Sequence, residues 1–143
     1  IRGVANLAAR PPLVANGDIV DAVSARAALA ASGAEAVMIG RGAVSDPFLA
    51  RRIRGVAAGG VVSSERGDDW LELLPLLAEF WAQVQGRVVA AHAPGRLKLW
   101  LNSLRRTFAE AEVLYMAIRP LRGIEETSNM LVRHSVPVQR TVI

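Results

Sequence analysis

The chain has 143 residues, 52% of them hydrophobic, and carries a formal charge of +4 at pH 7, which suits one globular domain or a small core with an appended unit. No apolar run approaches the roughly 20 residues that cross a bilayer and no basic stretch followed by an apolar one opens the chain, so the expectation is a cytoplasmic protein that uses no membrane. Cysteine is absent, which excludes disulfides, thiolate metal sites and a cysteine nucleophile from these residues, and the separation of His92 and His134 matches no ligand spacing, so no metal is expected.

Basic residues are in excess at both ends of the chain, around an acidic middle between residues 61 and 95. A positive last third is compatible with a polyanionic partner and equally with an ordinary solvated face. The chain opens on Ile1 rather than Met, inside what reads as an amphipathic segment, and is taken as part of a longer protein.

In chain order, Pro11-Pro12 precedes the short apolar run Leu13-Val14-Ala15, which reads as a buried strand whose start the prolines set. Residues 21–32 read as a helix with Asp21 as N-cap, a stripe formed by Val23, Ala27, Ala28 and Leu29, and Gly33 as its stop. Ala36-Val37-Met38-Ile39 is then a second buried strand. Strand, helix and strand in this order imply a right-handed crossover between parallel strands. The turns Asn16-Gly17-Asp18 and Gly40-Arg41-Gly42 thereby fall at one C-terminal sheet edge, where α/β folds bind ligands.

Glycines in such turns let backbone N–H groups approach an anion, and Arg41 adds charge. Pro47 suits an early position of a following helix from Phe48 to Arg54, whose N-terminus adds donors. Three readings of the glycines compete. They serve tight turns alone; or Gly40-Arg41-Gly42 begins a dinucleotide-binding fingerprint, although Ser45 stands where its third glycine belongs; or the two strands are the last of a (β/α)8 barrel, whose phosphate site is built after strands seven and eight. The last accounts for both turns at once and is preferred.

Residues 55–69 are rich in Gly, Ser and charge and read as a linker or loop. Beyond it the period becomes helical. Leu73, Leu74, Leu77, Phe80, Trp81 and Val84 form a core-facing stripe from Trp70 to Val84, and Leu97, Trp100, Leu101 and Leu104 form a second one. Lys98, Asn102 and Arg105 make a polar stripe on that second helix. Arg96 lies about 200° from Lys98 at the roughly 100° advance per residue. Helices from about Glu110 to Ile118 and Ile124 to His134 complete the unit, with Gly123 closing one and admitting the next, and residues 135–143 read as frayed.

The strings "PPLVANGDI" and "GAEAVMIGRGAVSDPFL" resemble the C-terminal barrel segment of the tRNA-dihydrouridine synthases, and "GRLKLWLNSLRR" with "AIRPL" resembles their tRNA-dihydrouridine(16) branch. The resemblance implies a fold of class α/β plus all-α: the last two β/α units of a TIM (β/α)8 barrel over residues 1–60, a linker at 61–69, and a small helical-bundle domain that binds tRNA at 70–143. It implies FMN held by Asn16, Gly17, Asp18, Gly40 and Arg41, with Gly42 adjacent, and tRNA oriented by Arg96, Lys98 and Arg119. The implied activity is NADPH-driven reduction of a D-loop uridine by the flavin, by a full-length protein expected to be monomeric.

The family's acid is a cysteine on an earlier barrel strand, so no catalytic residue is expected in these 143 residues and they are expected to be inactive alone. Two other classes stay open. One is another FMN- or phosphate-binding barrel oxidoreductase with a metabolite substrate, and the other is a non-catalytic RNA-binding module.

Overall fold

The computed structural model describes residues 11–58 and 67–138. The amphipathic opening segment, and the part of the expected linker from 59 to 66, lie outside the described residues. The chain divides into two compact units, Ile1–Ser63 and Ser64–Ile143, and no described helix is long and apolar enough to cross a membrane.

In the first unit the order is β1 (Val14–Asn16), α1 (Ala22–Ser32), β2 (Ala36–Met38), α2 (Arg41–Ser45) and α3 (Leu49–Ala57). The strands pair in parallel, with Val14 opposite Ala36, Ala15 opposite Val37 and Asn16 opposite Met38, as the strand-helix-strand order requires. Both strands are displaced or trimmed by a residue relative to the apolar runs, because pairing rather than hydrophobicity sets strand limits.

Helix α1 begins and ends where its local signals place it. The Asp21 carboxylate accepts from the Ser24 amide at 2.7 Å while the Ser24 hydroxyl accepts from the Asp21 amide at 3.1 Å, a reciprocal capping box. At the other end Gly33 adopts φ 67° and donates to Leu29 O, a conformation that an L side chain resists. The expected stripe is wrong in phase. Ala22, Ala25 and Ser32 are the buried residues, and Val23 is 64% exposed. Alanine is spread around this whole helix, so its periodicity carries no direction and the sheet beneath it chooses the face.

The sheet is covered on one side. Ala15 is buried and Val37 half-buried beside α1, whereas Val14 and Met38, on the opposite face by strand alternation, are 53% and 55% exposed. Helix α3 starts one residue later than expected and runs three residues further, so 55–57 are helical rather than linker.

In the second unit α4 (Gly67–Arg87) leads through a 3₁₀ turn (Ala90–His92) to α5 (Ala93–Leu104), α6 (Ala109–Ile118) and α7 (Ile124–Arg133). Helix α4 takes in Gly67, Asp68 and Asp69, the last three residues of the expected linker, and places the two aspartates in its first turn, where the helix dipole favours negative charge. Its Leu73, Leu77 and Trp81 are fully buried with Leu97, Leu101 and Leu104 of α5, Leu114 and Ile118 of α6, and Leu131 of α7. The Trp81 indole N–H donates to the Ser128 hydroxyl at 2.9 Å, so the buried ring keeps no orphan donor.

Three expectations for this unit are corrected. Phe80 and Trp100 are half-buried rather than core, and meet in a tilted contact at 4.8 Å between centroids, because each stands at the edge of its apolar stripe. Gly123 does not end α6, which stops at Ile118; it is the N-cap of α7 in extended conformation, a geometry that needs no glycine. Residues 135–136 are not frayed. Ser135 takes φ 65°, its amide donates to Val132 O and the Val136 amide to Leu131 O, both at 3.0 Å. Together with the buried Leu131 and Val136, this is a Schellman termination with serine in the glycine position.

Candidate functional site

The residues singled out at the two strand ends share one edge. Asn16 ends β1 opposite Met38, and β2 leads through Ile39 into Gly40, the N-cap of α2. The chain after β1 turns sharply, with the Ile19 amide donating to Gly17 O at 2.9 Å, and buries Ile19. The Arg41 guanidinium donates to the Asp18 carboxylate at 2.5 Å, with both side chains more than four-fifths exposed. This bond joins the two turns across the open edge.

The three glycines differ in role. A Cβ built on Gly17 or on Gly40 meets no atom within 4 Å, so the backbone at both is open to an approaching group. At Gly42 the same Cβ would come within 2.1 Å of Ile19 O and 2.8 Å of Leu49 Cδ2. Gly42 is buried, and its missing side chain seats the first turn against the second. On the side where its Cβ would project, the Ile19 carbonyl fills the space. Arg41 also lies within α2 rather than in an open loop.

The remaining donors suit the FMN that the resemblance implies. Open backbone at Gly17 and Gly40, the Asn16 amide and a guanidinium with N–H groups beyond those facing Asp18 match a phosphate monoester. The Asp18 carboxylate is an acceptor only, and matches hydroxyl groups rather than phosphate.

Sequence reasoning missed the pair beneath this edge. Asp46 is 5% exposed, and its two carboxylate oxygens take Nε and Nη2 of Arg52, each at 3.0 Å. The same carboxylate accepts from the Phe48 amide at 3.0 Å, the Asp46 amide donates to Gly42 O at 2.8 Å, and the Leu49 amide donates to Asp46 O at 3.0 Å. Ser45-Asp46-Pro47 ahead of a helix was the signal available, since an acidic residue before proline marks a helix start. The partner Arg52 lies six residues on and had no signal of its own.

The second unit places its basic residues in different states. Arg96 and Arg119 are exposed, Arg119 as the C-cap of α6. Lys98 is half-buried, and its ammonium donates to Leu121 O at 2.6 Å, tying α5 to the turn that follows Arg119. Two of its three protons remain beyond that bond. The polar stripe expected through Lys98, Asn102 and Arg105 breaks up, because Arg105 pairs with Glu112 at 3.2 Å and lies over the Tyr115 ring at 4.8 Å.

A family model described as "Dihydrouridine synthase (Dus)" matches residues 4–110. Among curated proteins, the chain is 41% identical over 120 residues to the tRNA-dihydrouridine(16) synthase of Cupriavidus necator, covering 84% of this chain and 36% of that protein. It is 44% identical over 119 residues to that of Ralstonia nicotianae, covering 83% and 35%, and 37% identical over 113 residues to that of Escherichia coli, covering 78% and 33%. The chain thus spans about a third of the length of the relatives it matches.

Proposed function

Because the chain belongs to the dihydrouridine synthase family, we propose that it supplies the cofactor-phosphate edge and the tRNA-holding unit of an enzyme that reduces a D-loop uridine of tRNA to 5,6-dihydrouridine. The uridine proposed is that at position 16, the position in the relatives' names. In this reading the first unit is the last two β/α units of a TIM (β/α)8 barrel and the second is a tRNA-binding domain.

The observation that carries the reading is the single exposed edge on which Asn16, Gly17, Asp18, Gly40 and Arg41 meet, joined by the Arg41–Asp18 bond. There the Asn16 amide, the open backbone at Gly17 and Gly40, and the Arg41 guanidinium would hold the FMN phosphate. Asp18 would accept hydrogen bonds from ribityl hydroxyls while keeping Arg41 turned toward the edge. When bound, FMN supplies hydride transfer to the pyrimidine ring, with NADPH as its reductant.

Arg96, Lys98 and Arg119 would contact tRNA phosphates, fixing the orientation of the RNA without reading its sequence. The bond from Lys98 to Leu121 O ties α5 to the turn that follows Arg119. A base that reacts must leave its stack, so this orientation decides which uridine reaches the flavin.

The test is made on the complete protein, with bound flavin and dihydrouridine on unmodified tRNA plus NADPH as readouts. Flavin and product, with FMN affinity reduced by Arg41→Ala and tRNA affinity reduced by Arg96→Ala or Arg119→Ala, are the expected results. A protein that binds FMN and leaves tRNA unmodified would keep the barrel assignment and overturn the tRNA reading.

A further inference from the structure

We infer that Asp46 and Arg52 are positioning residues that hold the two phosphate-facing turns in register, so that losing the pair weakens capture of the cofactor's phosphate before it unfolds the protein. The inference rests on the FMN reading above and goes beyond it, since neither side chain belongs to the exposed edge.

The argument follows the contacts inward from the pair. Arg52 is 18% and Asp46 6% exposed at their side chains, so the fork between them lies mostly out of water, where a bidentate guanidinium–carboxylate contact is geometrically specific. Asp46 also closes its own corner, through the Phe48 and Leu49 amides on one side and Gly42 O on the other. The corner between α2 and α3 is therefore held from both ends by one residue. It brings Leu49, 1% exposed, to Gly42, and Gly42 rests on the carbonyl of Ile19, the residue whose amide closes the Asn16-Gly17-Asp18 turn onto Gly17 O. A shift at Asp46 thus passes through α2, which carries Arg41, to the turn that carries Asp18. The exposed Arg41–Asp18 bond is too weakly sheltered from solvent to hold that register by itself.

The experiment compares FMN with riboflavin, which lacks only the phosphate, on the complete protein. Wild type, Asp46→Asn, Arg52→Lys and Arg52→Met are titrated with each flavin at a temperature well below each variant's unfolding midpoint. Asp46→Asn keeps an oxygen for the Phe48 amide and removes the charge; Arg52→Lys keeps the charge and removes the fork. The inference expects FMN affinity to fall roughly tenfold in Arg52→Met and Asp46→Asn, the lower end of what is lost when residues that orient metal ligands are changed. Riboflavin affinity should stay unchanged, and Arg52→Lys should recover only part of the loss.

Equal losses for both flavins, or lowered midpoints with unchanged affinities, would reduce the pair to general stability and overturn the inference. If wild type binds FMN no better than riboflavin, or if Arg41→Ala leaves FMN affinity unchanged, the phosphate-edge reading itself fails and the inference falls with it. A wild-type preference for FMN that Arg41→Ala abolishes and the Asp46 and Arg52 variants keep would leave that reading standing and refute only the positioning role.

Discussion

The two units of the chain are stabilised in opposite ways. In the first, the buried apolar side chains among the described residues are Ala15, Ile19, Ala22, Ala25 and Leu49, and large apolar side chains of both strands stay open on one sheet face. In the second, leucines from α4 through α7 and the Trp81 ring are almost completely withdrawn from solvent. Side-chain capping does not separate them: α1 carries a reciprocal capping box, but α2 and α3 start without a side-chain cap, as do α5, α6 and α7. Burial of large side chains holds the second unit, and the first has little of it among its described residues. A parallel strand pair needs neighbours on both edges and both faces, while a helical bundle closes on itself.

The largest expected effect separates the units outright. Residues 64–143 expressed alone should melt cooperatively with a helical circular dichroism spectrum, and residues 1–63 alone should show no cooperative transition. Two comparable transitions would break the comparison. The 143-residue chain should also give no dihydrouridine with tRNA, FMN and NADPH, a negative that product analysis checks directly.

Within the helical unit, Leu101→Ala should cost about 2–5 kcal/mol in urea unfolding, the range for a fully buried leucine. In the complete protein, Gly42→Ala should cost about 1–3 kcal/mol because the added methyl meets the Ile19 backbone, whereas Gly40→Ala, with open space, should be much milder. Equal costs for the two would remove the distinction between packing glycine and exposed glycine.

Smaller effects test the helix ends. Ser135→Gly should raise stability by about 1 kcal/mol, since serine there is held at positive φ. Asp21→Ala should cost about 1 kcal/mol at neutral pH. The Ser24 amide donating to its carboxylate holds the Asp21 pKa below the ordinary aspartate value, so the charged cap contributes fully above that value. The contribution is lost as pH falls through the lowered folded pKa, and the gap between wild type and Asp21→Ala should narrow in acid urea titrations.

Much of this architecture can be read directly from residues that act on near neighbours. Asp21 and Gly33 bound α1, the spacing of Leu97, Leu101 and Leu104 announces a buried helix face, and the two glycine turns stand at one edge because strands joined by a crossover helix run parallel. These signals survive in one dimension because each interaction spans a single turn or follows from chain direction.

Tertiary contact decided the rest. The sequence motif does not distinguish Gly42 from Gly40, yet the Ile19 carbonyl makes one a packing position and leaves the other open. Lys98 and Arg105 look alike on a helical wheel, but Leu121 O takes one and Glu112 with Tyr115 takes the other. Val23 looked like core on an alanine-rich helix whose inward face only the sheet could choose. In each case the deciding partner comes from another element, and the close-packed space between elements has no counterpart in residue spacing.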